Sequence, residues 1–324
     1  MTNLKIEWGT WTEVTTTWTS KTFAQTYTNP RVVISTEYNY TGQTENTIEG
    51  EIKNITTTGC EVRFRVVTES GTNTDPEECT IHYIVAEDTG EETDYTLPNT
   101  SIKVQVGQIE DTDVDSKSNW STDGNVTLIP EFSGTPVAFC SRTSHNNAGW
   151  VTTWVCETGT QGDPIYVPDG TCHIHFTDCE VPTGDFSSGE TIDYIIVEQS
   201  SNFSMDMSDD DSTQVTIVLS SDNILGLGNS ADGYNIAHSL STTPAVFVVF
   251  QQAMDGGDGG YAFSKTADGT NVKVWSLEDQ NDSERNHTSE QVAIFSFEDS
   301  GYYDPNPPTP SPTGNFYGIY ARRH

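Results

Sequence analysis

The sequence predicts an all-β protein: three tandem antiparallel β-sandwich domains followed by an extended C-terminal tail. Two observations carry that prediction. Apolar residues alternate with Thr or charged residues in run after run, as in Leu4-Lys5-Ile6-Glu7-Trp8 and Val62-Arg63-Phe64-Arg65-Val66, which is the period-2 pattern of half-buried strands. One phrase also occurs three times, as Asn29-Pro30-Arg31-Val32-Val33, Thr135-Pro136-Val137-Ala138-Phe139 and Thr243-Pro244-Ala245-Val246-Phe247, with its prolines 106 and 108 residues apart. That period exceeds the roughly 20–50 residues of a solenoid repeat and suits one small domain.

Each copy is built to one plan. An alternating strand opens it: Leu4–Trp8, then Ile102-Lys103-Val104-Gln105-Val106, then Val215-Thr216-Ile217-Val218-Leu219. The proline phrase follows, and because proline cannot donate to a ladder, Pro30 belongs at the start of a strand with Val32 and Ile34 facing inward beyond it. A short apolar strand ending in glutamate closes each copy: Ile81-His82-Tyr83-Ile84-Val85-Ala86-Glu87, Ile192-Asp193-Tyr194-Ile195-Ile196-Val197-Glu198 and Val292-Ala293-Ile294-Phe295-Ser296-Phe297-Glu298. In the first copy Ile48–Ile52 and Val62–Val66 alternate between them, with Arg63 and Arg65 on the face opposite Val62 and Phe64. The expected domains are residues 1–90, 91–200 and 209–299. Residues 300–324 form a Pro-rich spacer, Pro305 to Pro312, and a terminal segment whose Phe316, Tyr317, Ile319, Tyr320, Arg322 and Arg323 suit docking onto an assembly partner by strand addition.

With 48 Asp plus Glu against 14 Lys plus Arg, the net charge is −34. Nucleic acid is excluded as a partner, because phosphate binding needs concentrated Lys and Arg. The charge suits a halophile, where a Debye length of about 3 Å at 1 M salt screens self-repulsion. Met1–Trp8 has no apolar leader region, and no run approaches the ~18 apolar residues of a membrane span. Export by assembly into a virus particle fits both readings.

The cysteines fall as Cys60 and Cys79 in the first copy and Cys140, Cys156, Cys172 and Cys179 in the second. An even count per domain predicts the disulfides Cys60–Cys79, Cys140–Cys156 and Cys172–Cys179 in an extracellular protein. Zinc is the weaker reading of Cys172-His173-Ile174-His175, since alternation sends Cys172 to one face and both histidines to the other. Asp111–Asp115 lacks the Gly and Glu of a calcium-binding EF-hand loop. No metal or cofactor is expected. No Gly-x-Ser-x-Gly elbow, His-Glu-x-x-His pair or phosphate loop is present, which points away from an enzyme. Tyr38, Tyr40, Trp150 and Tyr261 occupy comparable loops after the proline strands, where their rings can stack on sugars or pack between domains.

The order of elements, Gly9…Trp18-Thr19…Phe23…Asn29-Pro30-Arg31-Val32 and Tyr83-Ile84-Val85-Ala86, resembles the H-type lectin domain, a six-stranded antiparallel sandwich, over roughly 270 residues in three copies. Similar modules occur in tail-fibre and spike proteins of tailed viruses, and the acidic composition points to a haloarchaeal one. The resemblance implies sugar binding through an Arg, a His and aromatics near the last strands, which in this chain are Arg63, Arg65, His82 and Tyr83. The second copy has His173, His175 and Asp193 in that region, and the third has Lys273 and Ala293. The expectation is therefore a non-enzymatic virion-surface or extracellular protein that contacts host glycan or S-layer, other virion proteins and copies of itself, a trimer foremost. A purely architectural component without a ligand, or a cellular surface adhesin, is the alternative.

Overall fold

The computed structural model describes residues 2–40, 46–67, 75–88, 95–111, 125–128, 132–146, 151–156, 171–178, 188–208, 211–252, 261–277 and 286–306. Among these every regular element is a strand. The first third holds β1 (Thr2–Asn3), β2 (Ile6–Val14), β3 (Thr19–Thr22), β4 (Pro30–Glu37), β5 (Ile48–Thr56), β6 (Gly59–Val66) and β7 (Cys79–Glu87). Next come β8 (Tyr95–Thr96), β9 (Lys103–Asp111), β10 (Asn125–Thr127), β11 (Pro136–Arg142), β12 (Val151–Cys156), β13 (Thr171–Asp178) and β14 (Glu190–Glu198). The last third holds β15 (Ser200–Asp206), β16 (Ser212–Leu219), β17 (Tyr234–Ala237), β18 (Val246–Gln251), β19 (Tyr261–Ala267), β20 (Asn271–Leu277), β21 (Val292–Phe297) and β22 (Gly301–Tyr303).

One connectivity is written three times. The opening strand, the closing strand and the proline strand lie side by side as β2-β7-β4, β9-β14-β11 and β16-β21-β18, while the intervening strands run as β3-β6-β5, β10-β13-β12 and β17-β20-β19, the first two as separate small sheets and the third joined to the first unit's large sheet by a β19–β4 bridge at Ser264↔Glu37. The proline strands start where the missing N–H requires, at Pro30 and Pro136, and two residues after Pro244. In the first unit Val32, Ile34, Ile81 and Val85 meet Ile48, Ile52, Val62 and Phe64 in one buried core, and in the third Phe247, Val249, Val292 and Ile294 meet Ile236, Val272 and Val274. Each closing glutamate holds the turn before its proline strand. Glu87 accepts the Thr28 and Asn29 amides, Glu198 the Ser133 and Lys103 amides, and Glu298 the Ser241 and Thr242 hydroxyls.

The opposite face of each large sheet is also apolar, and the three faces bury one another. Val33, Ile84 and Ala86 of the first unit, Val137, Phe139, Ile195 and Val197 of the second, and Val246, Val248, Phe295 and Phe297 of the third belong to one cluster. Aromatic stacking runs through it: Trp8 lies on Phe297 at 4.8 Å, Phe297 on Phe295 at 4.6 Å and Phe295 near Phe139 at 5.7 Å. The units therefore pack as a pseudo-threefold cluster within one chain.

The seams between them repeat as well. The equivalent amides of Val32, Ala138 and Phe247 each donate to a side chain of the next unit: Asp193 Oδ2 at 2.9 Å, Gln252 Oε1 at 2.9 Å and His82 Nδ1 at 3.2 Å. The cycle runs from the first unit to the second, to the third and back to the first. The strand that follows each closing strand joins the edge of the next unit: β8 pairs with β9, β15 with β16, and β22 returns to β2 through Ile6↔Tyr303, Glu7↔Tyr302 and Trp8↔Gly301. Lys5 and Asp304 close the ring with a 2.7 Å ion pair. Residues 301–303, expected in the spacer, are thus part of the first unit's sheet, because Trp8 needs cover and donates its indole N–H to the Asp299 carbonyl at 2.6 Å.

The cysteine expectation is corrected. Cys60, Cys79, Cys140 and Cys172 are buried free thiols, so none of the three expected disulfides is formed. Each of the four fills the apolar interior as a small hydrophobe. Burial pushes the Cys60 and Cys79 thiols up to about 12, which leaves them protonated and unreactive. The side chains of Cys156 and Cys179 lie outside the described residues.

Candidate functional site

The hairpin of β5 and β6 carries a cross-strand charge pattern on its outward face. Glu49 faces Arg65, Glu51 faces Arg63 and Lys53 faces Glu61, so each rung pairs opposite charges. Arg63 Nε donates to Glu51 Oε2 at 2.6 Å, and Lys53 lies 3.8 Å from Glu61. An outward glutamate ordinarily faces water, yet Glu51 is 3 % exposed because the second unit packs over it. Arg142 Nη2 donates to Glu51 Oε1 at 3.1 Å, and Arg65 Nη1 and His145 Nδ1 lie at 4.0 and 3.8 Å. Arg142 is shared with Glu190, its Nη1 standing 3.8 Å from the carboxylate. Glu190 is itself held by the Ser144 hydroxyl at 2.5 Å and the Asn146 amide at 3.0 Å.

Trp18, just before β3, stands half-exposed at the rim of this cluster. Lys53 Nζ and Arg63 Cζ lie 4.2 and 4.5 Å from its ring, and His145 meets it edge-on at 5.2 Å. Such cation–π contacts hold long side chains in a defined position at a partly exposed site. Burial, then the neighbouring Arg142, lowers the His145 pKa. The ring is therefore neutral at pH 7, its Nε2 donating to the Ile52 carbonyl at 3.0 Å. The result is an Arg–His–aromatic group with Glu51 and Glu190 locked beneath it, neither carboxylate free to act as a general acid or base. Beside it, where the three units converge, a cavity of about 60 Å³ is lined by Ser35, Ser141, Arg142, Gln251 and Tyr261. Arg142 Nη1 and Gln251 Nε2 make no protein hydrogen bond, and the space suits ordered water.

The other expected sugar contacts are placed differently. Arg63 and Arg65 are at this site, but His82 and Tyr83 are not with them. His82 is 2 % exposed in the seam between the third and first units, its Nε2 donating to Glu37 at 2.9 Å. Tyr83 is buried and stacked on Trp11 at 4.0 Å. Tyr38, Tyr40 and Tyr261 do converge, as packing between the first and third units. Tyr38 and Tyr40 are 4.7 Å apart, Tyr40 accepts the Ile48 amide, and Tyr261 donates to the Ile48 carbonyl. Tyr40 and Tyr261 are buried and present no face to a soluble sugar, while Tyr38 is partly buried against them. Trp150 and the tail residues Phe316, Tyr317, Ile319, Tyr320, Arg322 and Arg323 lie outside the described residues. Among the described residues no group of three His, Cys, Asp or Glu is placed to hold a metal ion. No family model, curated protein or solved structure matches the chain.

Trp18, His145, Glu51 and Arg142 are the site residues that reading along the chain misses. The Glu49/Glu51/Lys53 and Glu61/Arg63/Arg65 complementarity is visible in the two alternating segments. His145 and Arg142 join from another unit, which no local pattern signals.

Proposed function

We propose that the chain is a non-enzymatic structural and adhesion protein of the virion surface of a halophilic virus, contacting host surface glycan at the seam between its first and second units. The observation that carries the reading is the Trp18–Arg63–His145 group. A half-exposed indole beside fixed guanidinium and imidazole groups offers an apolar face and directed hydrogen bonds, the combination that sugar rings require. These are the residue types that the lectin resemblance implies, with His145 and Trp18 in place of His82 and Tyr83. The pseudo-threefold cluster suits display on a particle, where other virion proteins and copies of the chain are the partners. The tail segment Phe316–Arg323 is proposed to dock there.

Glycan-array binding at molar salt tests this. The wild-type chain is expected to select a subset of glycans, and Trp18→Ala and Arg63→Ala each to weaken that binding at least tenfold while the chain remains folded. Retention of binding by both variants would move the site elsewhere. Absence of binding by the wild-type chain would favour the second reading, a purely architectural component. The burial of His82, Tyr40, Tyr83 and Tyr261 between and within units supports that alternative.

A further inference from the structure

The ring is closed covalently at two seams and without a chain connection at the third. The first unit runs into the second and the second into the third, whereas the third returns to the first without a chain connection, through β22, the Trp8–Phe297 stack and the contacts of β18 and β19 with β4 and β7. At this seam the Phe247 amide donates to His82 Nδ1 at 3.2 Å, and the imidazole lies 4.0 Å from the Phe247 ring. The Ser35 hydroxyl donates to the Phe247 carbonyl at 3.3 Å. For Nδ1 to accept, the ring proton must sit on Nε2, where it is donated to Glu37 Oε2 at 2.9 Å. His82 therefore holds the seam only as the neutral Nε2–H tautomer.

We propose that this seam is an acid-released latch: protonation of His82 turns the acceptor facing the Phe247 amide into a donor and loosens β18 from β7 at this point of the seam. Glu37, on β4, is the charged group that the structure places against the ring, while β2 and β18 present Thr10 and Phe247. Glu37 Oε2 stays hydrogen-bonded to Nε2 in either state of the ring, so the change falls on Nδ1. The Phe247 amide makes protonation consequential, because an N–H then faces an N–H in a buried seam. The other two seams contain their own comparison. In the same role, though from the end of β18 and not from the closing strand, Gln252, which does not titrate, accepts the Ala138 amide at 2.9 Å and returns a hydrogen bond to its carbonyl at 2.7 Å. Asp193 accepts the Val32 amide and stands 3.9 Å from Arg31, which is paired with Asp88. Acid leaves the first of these seams unchanged and removes a buried charge from the second, so release is confined to the His82 seam.

Amide hydrogen exchange on the full chain at constant molar salt, corrected for intrinsic rates, tests the latch. Between pH 7.5 and 5.0 the protection of the Phe247 amide is expected to fall at least tenfold relative to that of Ala138. His82→Gln, which replaces the imidazole with a side chain that does not titrate, is expected to abolish that difference. An unchanged Phe247-to-Ala138 ratio in the wild-type chain overturns the proposal. So does an acid response that persists in His82→Gln.

Discussion

Gly9 faces Tyr83 across β2 and β7, and Gly107 faces Tyr194 across β9 and β14. A Cβ on Gly9 would stand 2.7 Å from the Tyr83 hydroxyl, so the glycine exists to admit the ring. The third unit solves the same packing with Val218 opposite Ile294. Gly9→Val is expected to destabilise by about 1–3 kcal/mol through overpacking, and Tyr83→Ile by about 2 kcal/mol through lost stacking on Trp11. The double variant is expected to cost less than the sum, which denaturant titration of the cycle measures. Asp193 yields a pH prediction. Burial, opposed by the Val32 and Gln108 hydrogen bonds and Arg31, raises its pKa to about 7. A carboxyl whose folded pKa is raised binds its proton more tightly in the folded state. Its contribution is complete below the unfolded value near 4 and is lost as pH rises through about 7. Thermal melts from pH 4 to 8 are expected to show a steeper decline in the wild-type chain than in Asp193→Asn, and equal slopes would remove Asp193 from the account.

At the scale of elements, the opening, proline and closing strands were legible because each side chain obeys a local rule: alternation, a proline at the strand start, a glutamate at the close. The all-β class follows from them. Three short strands were not legible. β8, β15 and β22 span two, seven and three residues, and β22 owes its existence to the uncovered edge of β2, almost three hundred residues earlier. The candidate site divides in the same way. Arg63 and Arg65 stand out on their strand, while Trp18 becomes a site residue only through His145 and the cations around it. The disulfides were misread because an even number of cysteines per unit describes a buried-thiol core equally well. The role of β22 is testable by truncation. A chain ending at residue 300 is expected to melt several degrees below one ending at residue 306, since it loses the β2 pairing and the Lys5–Asp304 ion pair. Equal melting temperatures would make β22 incidental.

For the whole molecule, the three repeats are readable but their arrangement is not, because strands such as β21 are apolar on both faces, with Phe295 and Phe297 on one and Val292 and Ile294 on the other. A strand buried on two faces specifies that something covers it without specifying what. In this structure the cover is the other two units, so a pseudo-threefold arrangement is made inside one chain. The proposed glycan site, latch and display role all depend on that closure. The measurement that tests it most directly is the distance between spin labels at Thr2 and Asn306, exposed residues lining one cleft at the ring's junction. The closed ring predicts a short, narrow distance distribution in molar salt. Units strung in line, each about 30 Å across, would give a broad distribution at several unit diameters and contradict the account.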